Sequence, residues 1–220
     1  MNPPGEEQTF FRASPVTISA GGVQLPGTLT LPDGAKSIVL FAHGSGSSRH
    51  SARNIFVAGV LHASLIGSLL IDLLTPTEDA NYSTRFNIDL LTSRLVGASY
   101  WLETAEQTAG LKIAYFGAST GAAAALRAAA QFGGEIGAIV SRGGRPDLAG
   151  DALPEVGSPT LLIVGGYDTE VIELNRTAYR LLTCKKQLTI IPGATHLFEE
   201  PGALEEVAQQ ATEWFKSHLQ

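Results

Sequence analysis

Leu111-Lys112-Ile113-Ala114-Tyr115-Phe116-Gly117-Ala118-Ser119-Thr120-Gly121-Ala122-Ala123-Ala124 decides how the rest of the chain is read. A run of apolar and β-favouring residues enters Gly-Ala-Ser-Thr-Gly, and an alanine-rich segment follows at once. The pattern predicts a strand, a sharp turn and a helix, with Ser119 at the turn. A serine there must take a strained backbone conformation, and a Cβ at Gly117 or Gly121 would collide where strand and helix pass closely. The turn lifts the hydroxyl out of the sheet and aims the Thr120 amide, near the start of the helix, at whatever sits on the serine. Such a hydroxyl is placed to attack a carbonyl. The plain alternative is a tight turn that happens to hold a serine; the strand before it and the helix after it favour the first reading.

Working outward, buried strands alternate with helical stripes. Residues 1 to 13 read as a lead-in and 14 to 220 as one domain. Val16 to Ile18 and Val23 to Leu31 predict two antiparallel strands around Gly21-Gly22. Ile38 to Ala42 reads as a strand, a continuous apolar run of the kind buried on both faces, and Leu69 to Leu73 as the next buried strand; Ile136 to Ser141, Pro159 to Val164 and Leu188 to Ile191 read as further strands. Ala52, Ile55, Phe56, Gly59, Val60 and Ala63 fall at helical spacing and predict the buried face of one helix. Ile88, Leu91, Leu95, Ala98 and Leu102 predict a longer one. Val171, Leu174, Ala178 and Leu181, and then Leu204, Val207, Ala208, Ala211 and Phe215, predict two more. Thr75 to Arg85 reads as a polar loop able to overhang the sheet edge. The expected fold is α/β, a mostly parallel sheet with helices on both faces and an antiparallel start.

The whole chain has 220 residues, 44% of them hydrophobic and 16% charged, which suits one soluble globular domain with a sizeable core. A formal net charge of −6, without a lysine or arginine run, argues against a nucleic-acid surface. No apolar run approaches a membrane span, and the acidic N-terminus lacks the basic-then-apolar pattern of a signal peptide. Cys184 is the single cysteine, which leaves no disulfide framework and no cysteine metal site. A cytoplasmic protein that uses no metal or cofactor is the expectation.

Ligands on parallel sheets bind at the carboxyl ends of the strands. Ser119, the segment His43 to Ser48, Arg142, Asp168 and His196 all sit just past predicted strand ends, so they share one rim. A serine hydroxyl needs a base within reach. Of the histidines, His62 lies in a helix pattern, His218 in the terminal tail, His43 closes a strand and orients the loop after it, and His50 starts a helix. His196, in the loop after the last strand, is the candidate base. Asp168 is the candidate orienter of its imidazole; Glu170 reads as a helix-start residue and Asp72 as a structural carboxylate. The order Ser119, Asp168, His196 is that of α/β-hydrolases. The oxyanion donors expected are the backbone N–H groups of Thr120 and Ser45, with Gly46 next.

His43-Gly44-Ser45-Gly46-Ser47-Ser48-Arg49-His50, Gly117-Ala118-Ser119-Thr120-Gly121, Ser141-Arg142-Gly143-Gly144-Arg145-Pro146-Asp147 and Gly193-Ala194-Thr195-His196-Leu197-Phe198 together resemble the small α/β-hydrolases of the dienelactone hydrolase-like group. The similarity runs from about Val16 to the C-terminus. True dienelactone hydrolases use a cysteine where Ser119 stands, so the resemblance implies ester hydrolysis and leaves lactones in doubt. Some relatives in that group are fused to phosphoribosyltransferase domains. The stretch between Ser141 and Pro159 is too short for a helical cap, so an open site for small or short-chain esters is expected. Arg142 and Arg145 are candidate contacts for an anionic substrate group, against a turn arginine paired to Asp147. Tyr82 to Phe86 is a candidate acyl-side wall. Glu199-Glu200 and Glu205-Glu206 read as a solvated face.

Overall fold

The computed structural model describes residues 11–219. The first ten residues of the expected lead-in lie outside that range. Strands β1 (Ala13–Ala20) and β2 (Val23–Thr30) form the antiparallel start, joined at Gly21 and Gly22. β3 (Ser37–Ala42), β4 (Ile66–Ile71), β5 (Lys112–Ala118), β6 (Ile139–Arg142), β7 (Thr160–Gly165) and β8 (Lys186–Ile191) follow. They make one eight-stranded sheet in the order β1-β2-β4-β3-β5-β6-β7-β8. β2 runs antiparallel to β4, and every pairing from β4 to β8 is parallel.

Successive strand residues point to opposite faces, and each face has its own helices. On one side Val39, Phe41, Phe116 and Ile163 pack against α1 (Ala52–Ala63) and α6 (Ala203–His218). On the other, Leu40, Tyr115 and Leu162 pack against α3 (Ile88–Thr104) and α4 (Thr120–Gln131), with α5 (Thr169–Leu181) beside them. Fully burying one such side chain is worth about 1.5–3 kcal/mol, so the two apolar layers dominate the stability of the fold. The alanines of α4 let it lie close on the sheet. Tyr115 is fully buried, its hydroxyl 2.6 Å from Ser99 Oγ.

Some expectations shift. The chain between Thr75 and Arg85 is not irregular: α2 (Pro76–Asp79) is closed by a Thr75–Glu78 capping box, and a 3₁₀ turn covers Tyr82–Phe86. Pro146–Glu155 forms 3₁₀ turns broken at Gly150, and no cap domain is inserted there. Leu181, expected on the buried stripe of α5, is 48% exposed. The expected inner face of α1 is also wrong. Its buried residues are Asn54, Val57, Ala58, Leu61 and His62, whereas Ile55 and Phe56 are 50% and 38% exposed. Two polar residues point inward because partners await them: His62 Nε2 lies 2.8 Å from Ser68 Oγ, and Asn54 Oδ1 faces the Arg142 guanidinium. A hydrogen-bonded polar group is tolerated where an unpaired one would not be.

Candidate active site

Ser119 sits between β5 and α4 with φ 49° and ψ −123°. That backbone is costly for a side chain with a Cβ and persists only because its surroundings enforce it. A Cβ on Gly117 would lie 2.4 Å from Ala122 Cα, and one on Gly121 would lie 2.2 Å from the Ala42 carbonyl oxygen. Both positions must be bare for helix and strand to meet. The strand end of β6 straps the turn: Ser119 N–H donates to the Arg142 carbonyl at 3.3 Å, and Arg145 N–H donates to the Ser119 carbonyl at 3.0 Å. Gly44, after β3, approaches from the other side, with room for a Cβ only 2.9 Å from that of Ser119.

Asp168 follows β7 in the N-cap position of α5, where an aspartate commonly caps its own helix. It makes no such cap. Its Oδ2 lies 2.6 Å from His196 Nδ1, so Nδ1 carries the proton and Nε2 is left as the acceptor. Gly165 makes this meeting possible, because a Cβ there would lie 2.5 Å from the carbonyl oxygens of Ala194 and Thr195. The His196 ring stands over Gly143, the first residue after β6, with Cε1 3.6 Å from where a Gly143 Cβ would be. Ser119, Asp168 and His196 thus share the carboxyl edge. Within 3.5 Å, no hydrogen bond joins Ser119 Oγ to His196 among the described residues.

The expected oxyanion donors are adjacent but not idle. Ser45 N–H donates to Thr120 Oγ1 at 3.0 Å, so the loop after β3 is tied to the first residue of α4. His43 secures that loop from below. Leu73 N–H donates to its Nε2 at 3.0 Å, which leaves the proton on Nδ1, facing the Gly44 carbonyl at 2.9 Å. Burial lowers the His43 pKa, against smaller opposing effects of Gly44 and two carboxylates, and keeps the ring neutral. Asp72 accepts from both the backbone and the guanidinium of Arg49, a structural role for that carboxylate. Glu170 is exposed in the first turn of α5.

Of the candidate substrate contacts, Arg145 makes a bidentate pair with Asp147 at 2.9 and 2.8 Å. Arg142 is different: it is 7% exposed, has only Asn54 Oδ1 at 3.4 Å, and its Nε and Nη1 have no partner among the described residues. Burial and then the nearby Arg53 push its pKa down to about 10, so the cation persists at neutral pH. Gly46 lies against Arg85 in a narrow crevice beside Thr120, whereas Tyr82 stands 71% exposed on Phe86, outside that lining. Sequence reasoning missed the residues that hold the His196 loop. Glu200 accepts from Thr195 N–H at 3.1 Å, Glu199 pairs with Arg53, and Phe198 is buried with φ 56°. The Glu199-Glu200 run is therefore a loop anchor and not merely a solvated face.

The sheet order and the strand–turn–helix at Ser119 define an α/β-hydrolase fold. No family model matches the chain. A dienelactone hydrolase from Anabaena variabilis ATCC 29413 is 56% identical, superposes with a TM-score of 0.93, and is matched over 96% of this chain and 99% of its own. The chain belongs to the dienelactone hydrolase-like group of α/β-hydrolases. Est1E from Butyrivibrio proteoclasticus (16% identity, TM-score 0.79, 93% of this chain and 98% of that one) and the Pyrococcus furiosus esterase Pf2001 (20%, 0.75, 100% and 98%) share the fold. Two Mycobacterium tuberculosis proteins, from strains CDC 1551 and H37Rv, each carry the name "Putative phosphoribosyl transferase" and are 56% identical over 209 residues. The match takes in 95% of this chain but only 47% of theirs, so the chain spans about half the length of these curated relatives.

Proposed function

We propose that this chain is a cofactor-free serine hydrolase of small or short-chain carboxylic esters. The observation that carries the reading is the 2.6 Å Asp168–His196 hydrogen bond, placed on the same sheet edge as a serine on a left-handed elbow. Ser119 Oγ attacks the ester carbonyl while His196 Nε2 takes its proton, and Asp168 stabilises the imidazolium through Nδ1–H. The oxyanion is received by Thr120 N–H and by Ser45 N–H. At rest the latter faces the neutral Thr120 hydroxyl, and a charged oxygen is the stronger acceptor. His196 then protonates the departing alcohol, and water, activated by the same imidazole, cleaves the acyl-enzyme.

The uncapped edge favours small esters. Gly46 and Tyr82 are proposed to flank the substrate, and the Arg142 cation, buried beneath the rim, is proposed to favour an anionic group on it. Lactones are cyclic esters open to the same steps, and the Anabaena relative bears the name of a lactone hydrolase. The missing Ser119–His196 hydrogen bond favours a second reading, a binding module of the same fold without turnover; such contacts often close only around a substrate.

A fluorophosphonate applied to the purified protein, followed by peptide mass spectrometry, separates the two. An adduct confined to Ser119 is expected. A folded protein without an adduct sinks the hydrolase reading and leaves the binding module.

A further inference from the structure

One buried hydroxyl beside the nucleophile plays no part in the hydrolytic steps. Thr120 opens α4 directly after Ser119 and is 2% exposed. Its Oγ1 accepts from Ser45 N–H at 3.0 Å, and among the described residues its own proton has no acceptor. Other buried helix hydroxyls behave differently. Thr92 donates to the Ile88 carbonyl at 2.7 Å, Thr212 to the Ala208 carbonyl at 2.7 Å and Ser99 to the Leu95 carbonyl at 3.0 Å, each to a residue of its own helix. Thr120 is the first residue of α4, so no carbonyl of its own helix lies behind it. A buried donor left unsatisfied costs about 1–3 kcal/mol. The Thr120 proton is therefore available to a ligand that brings an acceptor.

The place of Oγ1 indicates which atom of the ligand it meets. It belongs to the same residue as one oxyanion amide and is hydrogen-bonded to the other, so an oxygen received by both amides sits beside it. The loop after β3 also passes the nucleophile closely: a Cβ on Gly44, the neighbour of Ser45, would lie 3.7 Å from Ser119 Oγ. A hydroxyl accepts and donates at once, and its proton turns about the C–O bond without moving a heavy atom. Beside a developing oxyanion its lone pairs would be repelled and its proton attracted.

We propose that the Thr120 side-chain hydroxyl is a catalytic group, a third oxyanion donor beyond the two amides; this rests on the serine hydrolase reading. At rest Oγ1 accepts from Ser45 N–H and keeps the loop after β3 in register with α4. As Ser119 Oγ bonds to the carbonyl carbon, the carbonyl π pair moves onto its oxygen. Ser45 N–H shifts to that oxygen, and Thr120 Oγ1–H turns onto it as well. The Thr120 O–H bond stays intact throughout. When the carbonyl reforms and the alcohol leaves with the proton from His196, Oγ1 again accepts from Ser45 N–H.

Thr120→Val keeps the shape of the side chain and removes the hydroxyl. On a short-chain nitrophenyl ester its kcat should fall about 10²-fold with KM nearly unchanged, and Thr120→Ser, which returns the hydroxyl, should restore most of the loss. Thr120→Ala, which also lacks the hydroxyl and suits a helix, should lose kcat as valine does, and stands in if the valine variant does not fold. A short alkylboronic acid, which becomes a tetrahedral anion on Ser119, should lose affinity in the valine variant in step with kcat/KM. A hydroxyl that only competes for Ser45 N–H would be better absent, and a valine variant as fast as the parent or faster overturns the proposal. So does a loss confined to KM and the melting temperature, with boronate affinity unmoved, which is the mark of a loop tie alone. A folded parent that turns over no ester and takes no fluorophosphonate at Ser119 removes the hydrolase reading and this proposal together. An active, labelled parent with an unimpaired valine variant removes this proposal alone.

Discussion

The Ser119 turn and the His196 loop meet at one edge of the sheet but are held there by different forces. The turn is fixed by backbone against backbone, with no space for a Cβ on Gly117 or Gly121 and with two strap hydrogen bonds from the end of β6. The loop is held by side chains: Asp168 on the imidazole, Glu200 on the Thr195 amide, Arg53 on Glu199, and one buried phenylalanine. Backbone packing fails as a unit with the fold, whereas side-chain ties can be cut singly. Damage to the turn should therefore appear as lost stability, and damage to the loop as lost activity in a folded protein.

The largest expected effect separates chemistry from folding. Ser119→Ala should lower turnover of a short-chain nitrophenyl ester by about 10⁴-fold or more and leave the melting temperature unchanged. Undiminished turnover would remove Ser119 from the mechanism. Asp168→Asn should cost about 10⁴-fold in kcat, since the amide can hold the wrong tautomer of His196, again in a folded protein.

Gly121→Ala probes the other side of the comparison. Its new Cβ would press on the Ala42 carbonyl, and a loss of at least about 3 kcal/mol in urea unfolding is expected. A loss under about 1 kcal/mol would mean that the turn yields as easily as the loop, and the contrast breaks. Glu200→Ala should behave oppositely, with kcat/KM down about fivefold and unfolding free energy within about 0.5 kcal/mol of the parent.

The smallest effect concerns pH. Burial lowers the His62 pKa from 6.5 to about 4, and burial lowers that of His43 as well. The unfolded chain then takes up protons first as pH falls. Their contribution is present above about pH 6.5 and is lost as pH drops toward the folded values. Thermal unfolding followed from pH 7 to pH 4 should show this decline, and His62→Gln, which does not titrate, should make it shallower. An unchanged slope would mean that His62 is not the group responsible.

The common placement of the candidate residues was legible because strand ends mark the rim: Ser119, Asp168 and His196 each follow an apolar run, and runs of that type make a parallel sheet whose carboxyl edge is shared. The β1–β2 hairpin was equally plain around Gly21-Gly22. The face of α1 was not. Its apolar residues Ile55 and Phe56 were expected inward, yet Asn54 and His62 take that place, because Arg142, far away in sequence, reaches Asn54, and Ser68, on the strand that follows the helix, turns back onto His62. The Ser45 amide was expected as a free donor, and only the fold brings Thr120 Oγ1 to it across 75 residues.

Local periodicity and glycine placement in the chain determined the alternation of strands and helices, the elbow at Ser119 and the order of the residues on the rim. Those features depend on neighbours along the chain and on excluded volume, which a sequence displays. Tertiary structure decided which polar side chains could be buried, what anchors the His196 loop, and that Lys36, Lys112 and Lys216 face one apolar groove. Asn54 with Arg142, Arg53 with Glu199 and the groove lining depend on whether a partner distant in sequence arrives within contact range, and His62 with Ser68 and Thr195 with Glu200 depend on how a strand or loop folds back; no periodicity along the chain encodes either.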